Sequence, residues 1–365
     1  MSDPIWITVP EYFSQFQCKC GDCRTCCCTG WGISISRTDY FRLVGMECSK
    51  GLRRRVDESL SLLPDASEER YARLNPNWLG QCHMRAGDGY CALQRERGEN
   101  VLPLICRLYP RKIRRGLELE GSCANSCEKT LELLWEQKEP LRFVRIQKPA
   151  SLPDAPACAA EAQVARDIER RRGAIACLQD RSLSLGDRLA RLAGAERKEP
   201  DMEPAFRTCV SILCALAYES PSLGRYAGEV LKFYGLPFGA EALLGISDSE
   251  MDRAFEKYRL AAERFDRRFP QWPIFAEQVL VNHLFFSSDM GTAALCAVSS
   301  LMRFMSAGWT ALREGRDALI DVCAASFRFM EHTDFDRNVN IVLKGLHFNS
   351  SSSLASLIEN EAIAG

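Results

Sequence analysis

Cys18-Lys19-Cys20-Gly21-Asp22-Cys23-Arg24-Thr25-Cys26-Cys27-Cys28-Thr29-Gly30-Trp31 sets six thiols within eleven residues. Packing requires nothing of the kind. Buried structural cysteine occurs singly on apolar faces, the pattern of Cys209, Cys214, Cys296 and Cys323 further along the chain. A dense group of thiols is instead the ligand supply of an iron-sulfur cluster or a structural zinc. Adjacent Cys27 and Cys28 point in different directions in any regular backbone, to opposite faces of a strand or about 100° apart on a helix. Both are therefore not expected on one atom; they serve different irons, different centres, or one ligand role and one packing role.

Of the 18 cysteines, 12 lie between Cys18 and Cys127. The opening Met1-Ser2-Asp3-Pro4-Ile5-Trp6 lacks the basic and apolar regions of a secretory signal. A cytoplasmic location is expected, and there thiols stay reduced, so ligands rather than disulfides are the reading. Further thiols follow at Cys82, Cys91, Cys106 and Cys123, beside Gly80, Gly87-Asp88-Gly89 and Gly121. Turn-rich loops of this sort bring distant ligands together. With four histidines only, at positions 83, 283, 332 and 347, an all-cysteine site is the simpler choice, although His83 next to Cys82 is a possible stray ligand.

Outward from this region the pattern changes. Gly30-Trp31-Gly32-Ile33-Ser34-Ile35-Ser36 alternates like a strand, and helices are expected near 38–62 and 124–138. Three prolines in Lys148-Pro149-Ala150-Ser151-Leu152-Pro153-Asp154-Ala155-Pro156 mark a boundary. Beyond it, residues 159–194, 203–218, 222–234, 248–268, 272–287, 290–314 and 316–331 read as helices, with a short polar tract at 349–353 before a frayed C-terminal helix. The expected fold is mainly α: a cysteine-rich, irregular metal-cluster domain over 1–147, joined to an α-helical domain over 157–365.

The order Cys18-x4-Cys23-x3-Cys27-Cys28-x-Gly30-Trp31, then Cys82 and Cys91, Cys106-Arg107-Leu108-Tyr109-Pro110-Arg111 and Ser122-Cys123, resembles the flagellin lysine-N-methylase (FliB-type) family and the related zinc- or iron-chelating cysteine-cluster families. Val9-Pro10-Glu11-Tyr12-Phe13 is similar to that family's start, so the likeness spans about residues 7 to 135. The resemblance implies methylation of flagellin lysines with S-adenosylmethionine, and an iron-sulfur cluster of the 4Fe-4S type with zinc as the alternative. Carried across, the metal-site residues are Cys18, Cys23, Cys27, Cys28, Cys82, Cys91, Cys106 and Cys123. The chain departs from the pattern at His83-Met84-Arg85, and Cys20, Cys26 and Cys127 are additional. Cys20, Cys23 and Cys26 form an overlapping Cys-x2-Cys-x2-Cys reading, like a ferredoxin run without its final Cys-Pro.

Methylating a lysine amine is a nucleophilic displacement that needs the amine neutral, against its usual pKa of about 10.4. No strand-linked Gly-x-Gly-x-x-Gly is present, which disfavours a Rossmann-type methyltransferase, and no residue is assigned a catalytic role. The basic run Arg107, Arg111, Lys112, Arg114 and Arg115 is either a solvated surface or a face toward the cluster, the cofactor or an acidic protein patch. Trp31 is either a shield for the centre or a core aromatic, and Tyr109 reads as packing. With 46% hydrophobic residues, 26% charged residues and a net charge of -1, the chain is globular and carries no field to recruit nucleic acid or an anionic membrane. No run of about 18 apolar residues would span a bilayer. A non-enzymatic adaptor or cluster carrier needs the same thiols and no cofactor pocket.

Overall fold

The computed structural model describes residues 4–149, 152, 161–194, 202–239, 245–287 and 291–345. The chain is mainly α, with its strands gathered in the cysteine-rich first third. That part runs β1 (Trp6–Pro10), β2 (Ile33–Ile35), α1 (Arg37–Val44), α2 (Lys50–Ser59), β3 (Leu60–Leu62), β4 (Ala72–Leu74), α3 (Ala92–Arg97), α4 (Leu104–Leu108), β5 (Arg111–Arg115), β6 (Leu119–Cys123), α5 (Glu128–Glu136) and β7 (Phe143–Gln147). Helices follow: α6 (Glu161–Leu178), α7 (Leu185–Leu192), α8 (Met202–Leu216), α9 (Pro221–Tyr234), α10 (Asp248–Arg268), α11 (Trp272–Phe286), α12 (Thr292–Leu312), α13 (Arg316–His332) and α14 (Phe335–Gly345).

Caps decide where these helices break. The single helix expected over 38–62 is two, because the Ser36 hydroxyl accepts from the Asp39 amide and Ser49 accepts from the Leu52 amide, each satisfying an end that would otherwise be orphaned. The helix expected over 159–194 likewise divides, with Ser184 capping α7 through the Asp187 amide. α10 begins on a full capping box between Ser247 and Glu250. The boundary expected across 148–156 and the tract at 349–353 fall mostly or wholly outside the described residues.

Two sheets organise the first third. The order β5-β6-β1-β7 places β1 parallel to β6 and antiparallel to β7, while β2-β4-β3 is antiparallel throughout. Around the second sheet lies a small core of Ile35, Leu43, Leu52, Val56, Ala72, Leu74, Met84, Leu93 and Leu102. Ile7, Val9, Tyr12 and Phe13 belong instead to the large core that continues through α11 and α12. Both of these helices are apolar and buried almost all round, as central helices must be. No helix among the described residues is long and apolar enough to cross a membrane.

Buried polar groups tie the first third to α11. Tyr12 Oη donates to Asn282 Oδ1 at 2.6 Å, Ser122 Oγ donates to the same oxygen at 2.8 Å, and Asn282 Nδ2 donates to the Cys123 carbonyl at 2.9 Å. Nothing here meets water, so each bond must be made within the protein.

Candidate metal centre

The thiol run folds as a short 3-10 turn at Cys20–Asp22 followed by further tight turns, with no α-helix or strand. Its conformation is fixed by backbone bonds to a second loop: the Gly30 amide donates to the Gly80 carbonyl at 2.8 Å, and the Cys82 amide donates to the Cys28 carbonyl at 2.7 Å. Gly30 has φ +86°, and a Cβ there would lie 1.9 Å from Ser222 Oγ on α9, so a side chain is excluded twice over. Glycine at 21 is needed for another reason. A Cβ would fall 2.4 Å from the Tyr90 ring, which brings the loop leading to Cys91 against the run.

These loops enclose a cavity of about 590 Å³. Cys18, Cys23, Cys27, Cys28, Cys82, Cys91 and Cys106 line it, and so do Cys20, Cys26 and Cys127. The remaining expected ligand, Cys123, is fully buried in the large core, where its amide lies 3.4 Å from Tyr12 Oη, and it does not line the cavity. His83 is also elsewhere, with Nδ1 3.8 Å from Glu58 on α2. All the described cysteines are free thiols.

Cys26, Cys27 and Cys28 bring their sulfurs within 4.8 Å of one another. This differs from the divergence expected of neighbours, and the cause is the turn: Thr29 N and Oγ1 both donate to the Cys26 carbonyl, at 3.2 and 2.8 Å, so the backbone has no regular period to splay the side chains. The Cys28 amide lies 3.4 Å from Cys26 Sγ. Thiol hydrogen bonds from Cys27 and Cys28, with Arg85 nearby, hold Cys26 well below the usual thiol range. Donation to Cys26 in turn pushes Cys27 and Cys28 up. Cys82 comes down to about 7 through a hydrogen bond from Cys28, whereas burial raises Cys23 and Cys106 to about 12. Buried thiols of this kind ionise when a cation supplies the opposite charge. The donor set therefore suits a thiophilic metal or cluster, whose cysteine ligands bind as thiolates.

The far end of the chain closes the site. Arg328 on α13 donates through Nη2 to the carbonyls of Thr25 and Cys26 at 2.5 and 2.9 Å, and through Nη1 to that of Thr29 at 3.3 Å. Its guanidinium carbon also lies 5.3 Å from the Trp31 ring centroid. Glu128, at the start of α5, accepts from Lys19 Nζ at 2.6 Å and from Thr25 N and Oγ1 at 2.7 and 2.8 Å. One substitution tests this clamp. Arg328→Met is expected to lower the melting temperature by several degrees and to raise thiol alkylation at Cys26–Cys28 in metal-depleted protein at least about fivefold, because three carbonyls, that of Cys26 buried, lose their donor. Unchanged alkylation would mean that the turn holds itself.

The basic run divides by role. Arg107 and Arg111 line the cavity, and Arg111 also donates to the Phe16 carbonyl at 3.0 Å. Arg114 is structural, pairing with Glu120 at 2.7 Å and donating to the Phe286 carbonyl at 3.0 Å. Trp31 lies edge-on to His332 and Tyr109, with centroids at 4.8 and 5.8 Å, and all three line the cavity. Sequence reasoning missed Arg328 and His332. Both sit in an apolar helical pattern some 300 residues from the thiols they face, and nothing local marks them.

Compared with known proteins, the chain is similar to the lysine-N-methylases of Salmonella choleraesuis and Salmonella typhimurium, each 26% identical over 107 residues, or 29% of this chain and 26% of the relative. It is also similar to the flagellar biosynthetic protein FliU of Salmonella muenchen, 25% identical over 107 residues, which is 63% of that protein. The likeness thus spans about a quarter of the length of the lysine-N-methylases. No family model matches the chain, and no solved structure does.

Proposed function

We propose that the protein is a cytoplasmic protein-lysine N-methyltransferase that transfers methyl groups from S-adenosylmethionine to lysines of flagellin and depends on a cysteine-ligated 4Fe-4S cluster. One observation carries the proposal: thiols from four separated stretches of chain line one cavity, in a protein similar to named lysine-N-methylases. Residues 1–147 hold the metal in this reading, and the helices of 157–365 buttress it. The ligands are drawn from Cys18, Cys23, Cys27, Cys28, Cys82, Cys91 and Cys106; Cys123, which the family resemblance adds, stands behind them in the core.

Bound there, the cluster supplies a Lewis-acidic iron to which an amine or carboxylate can bind. The chain's own residues do the rest. A cavity of about 590 Å³ is within the range that takes a cofactor-sized ligand. Arg107 and Arg111 on its wall match a carboxylate, and Glu99 matches a cationic group. Trp31 and Tyr109 give an apolar face that disfavours the charged form of an entering lysine. Incubation of anaerobically purified protein with unmodified flagellin and methyl-labelled S-adenosylmethionine is expected to label lysines. Metal-loaded protein that transfers no label would favour a non-enzymatic adaptor or carrier.

A second metal reading has its own support. Tetrahedral zinc with bonds of about 2.3 Å spaces its sulfurs by roughly 3.8 Å, which suits three thiols as close as Cys26, Cys27 and Cys28. Metal analysis separates the two readings.

A further inference from the structure

We infer that Tyr109, Ser126 and His332 form a proton-accepting chain that deprotonates the ammonium group of a substrate lysine in the cavity. The inference rests on the methyl-transfer reading above and names its base. Tyr109 and His332 both line the cavity, and Ser126 joins them from behind: its Oγ lies 3.1 Å from Tyr109 Oη and 2.8 Å from His332 Nε2. Ser126 is fully buried, and its amide lies 3.2 Å from Glu331 Oε2, which fixes the hydroxyl's position. The other Glu331 oxygen lies 3.0 Å from Nδ1 of His283, and both of these side chains are fully buried. Trp31 packs edge-on against both ends of the chain.

The direction of transfer follows from the donors. With the His332 proton on Nδ1, Ser126 donates to Nε2 and Tyr109 donates to Ser126, which leaves the phenolic oxygen to accept from a substrate N–H. The lysine proton passes to Tyr109 Oη, the phenol proton to Ser126 Oγ, and the serine proton to His332 Nε2, ending as imidazolium. The freed amine lone pair then forms the N–C bond to the methyl group. The C–S bond breaks, and its electron pair returns to sulfur, leaving a neutral thioether. The groups that bear on His332 are Glu331 and Arg328 on its own helix and Lys112 on β5; the residue is exposed at the helix end, but the protein packed around its ring, with the two cations, holds the imidazole below its usual 6.5 despite Glu331. It is therefore neutral and able to accept at pH 7.

The test compares wild type with Tyr109→Phe, Ser126→Ala and His332→Gln, using labelled S-adenosylmethionine and flagellin from pH 5.5 to 10, with metal content and melting temperature measured alongside. Wild type should lose rate as pH falls below about 6.5, a readout that needs no variant to fold. Each folded, metal-loaded variant should lose about 10²-fold in kcat at pH 7 and then recover about tenfold per pH unit, as lysine in solution supplies its own neutral form. Variants that keep the wild-type rate and profile would overturn the inference, as would a wild type with no acid limb. Absence of transfer by metal-loaded wild type would instead strike the methyl-transfer reading. The base is also tested without turnover: the imidazole NMR signal of His332 should titrate below 6.5 and move in Ser126→Ala, and titration above 7 would remove the base.

Discussion

Protein carrying both Cys27→Ser and Cys28→Ser is expected to retain less than about a tenth of the metal bound by wild type, and to lose the small core with it. These two thiols and Cys26 have their sulfurs within 4.8 Å of one another, and Cys27 and Cys28 are among the ligands proposed above, so their loss should weaken any centre held there. Serine offers a hard oxygen that stays protonated at neutral pH, a poor exchange for thiolate on iron or zinc. The folding consequence comes from size. Nine buried side chains make up the small core, and Cys82, Cys91 and Cys106 pack directly against it. Structural metal sites contribute about 10–16 kcal/mol in small domains, far more than such a core supplies alone. Hydrogen exchange should therefore quicken at least about tenfold over residues 33–106, while α11 and α12 stay protected. Cys296→Ala, a core substitution in α12, serves as control and should keep its metal. Full metal in the double variant would exclude both thiols as ligands.

Glu277→Ala is expected to be the most damaging single substitution in the helical part, costing about 3–5 kcal/mol. Its carboxylate is fully buried and accepts from Arg181 Nε and Nη2 at 2.9 Å and from Arg188 Nη1 at 2.8 Å, which pins the turn between α6 and α7 onto α11. Removing the acid leaves Arg188, itself 5% exposed, as an uncompensated buried cation. The melting temperature should fall by roughly 5–10 °C. Converting all three to apolar residues, as Glu277→Leu with Arg181→Met and Arg188→Met, should recover most of that loss, because the pair also carries a desolvation cost. A fall of less than about 1 °C for Glu277→Ala would show that water reaches the arginines.

Much of this architecture was legible in the residues. Helix-forming composition with Pro and Gly punctuation gave α9 to α13 within a few residues, since those segments are long and clearly bounded. Cys209, Cys214, Cys296 and Cys323 are buried in helices, as lone thiols on apolar faces should be. The four-stranded sheet was not legible. β1 pairs with strands more than 100 residues away, and β5 reads Arg-Lys-Ile-Arg-Arg, a charged run with no alternation to announce a strand. Serine caps inside long periodic stretches leave the periodicity unbroken, so the divisions at Ser49 and Ser184 are not visible in it. In the candidate site, cysteine density pointed to the cavity wall, but the convergence of Cys26, Cys27 and Cys28 depends on a turn held by Gly80 and Arg328, partners that spacing does not reveal. Tyr109 read as packing because its role depends on Ser126 and His332, which sequence places far from it.

Elemental and sulfide analysis of wild-type protein purified without oxygen decides whether the cavity thiols hold a cluster. Bound iron with acid-labile sulfide in comparable amounts and a brown colour are expected, with loss of both in the Cys27→Ser, Cys28→Ser variant. Zinc alone at full occupancy would contradict the cluster, and protein without any bound metal, its cavity thiols open to alkylation, would contradict the metal centre altogether.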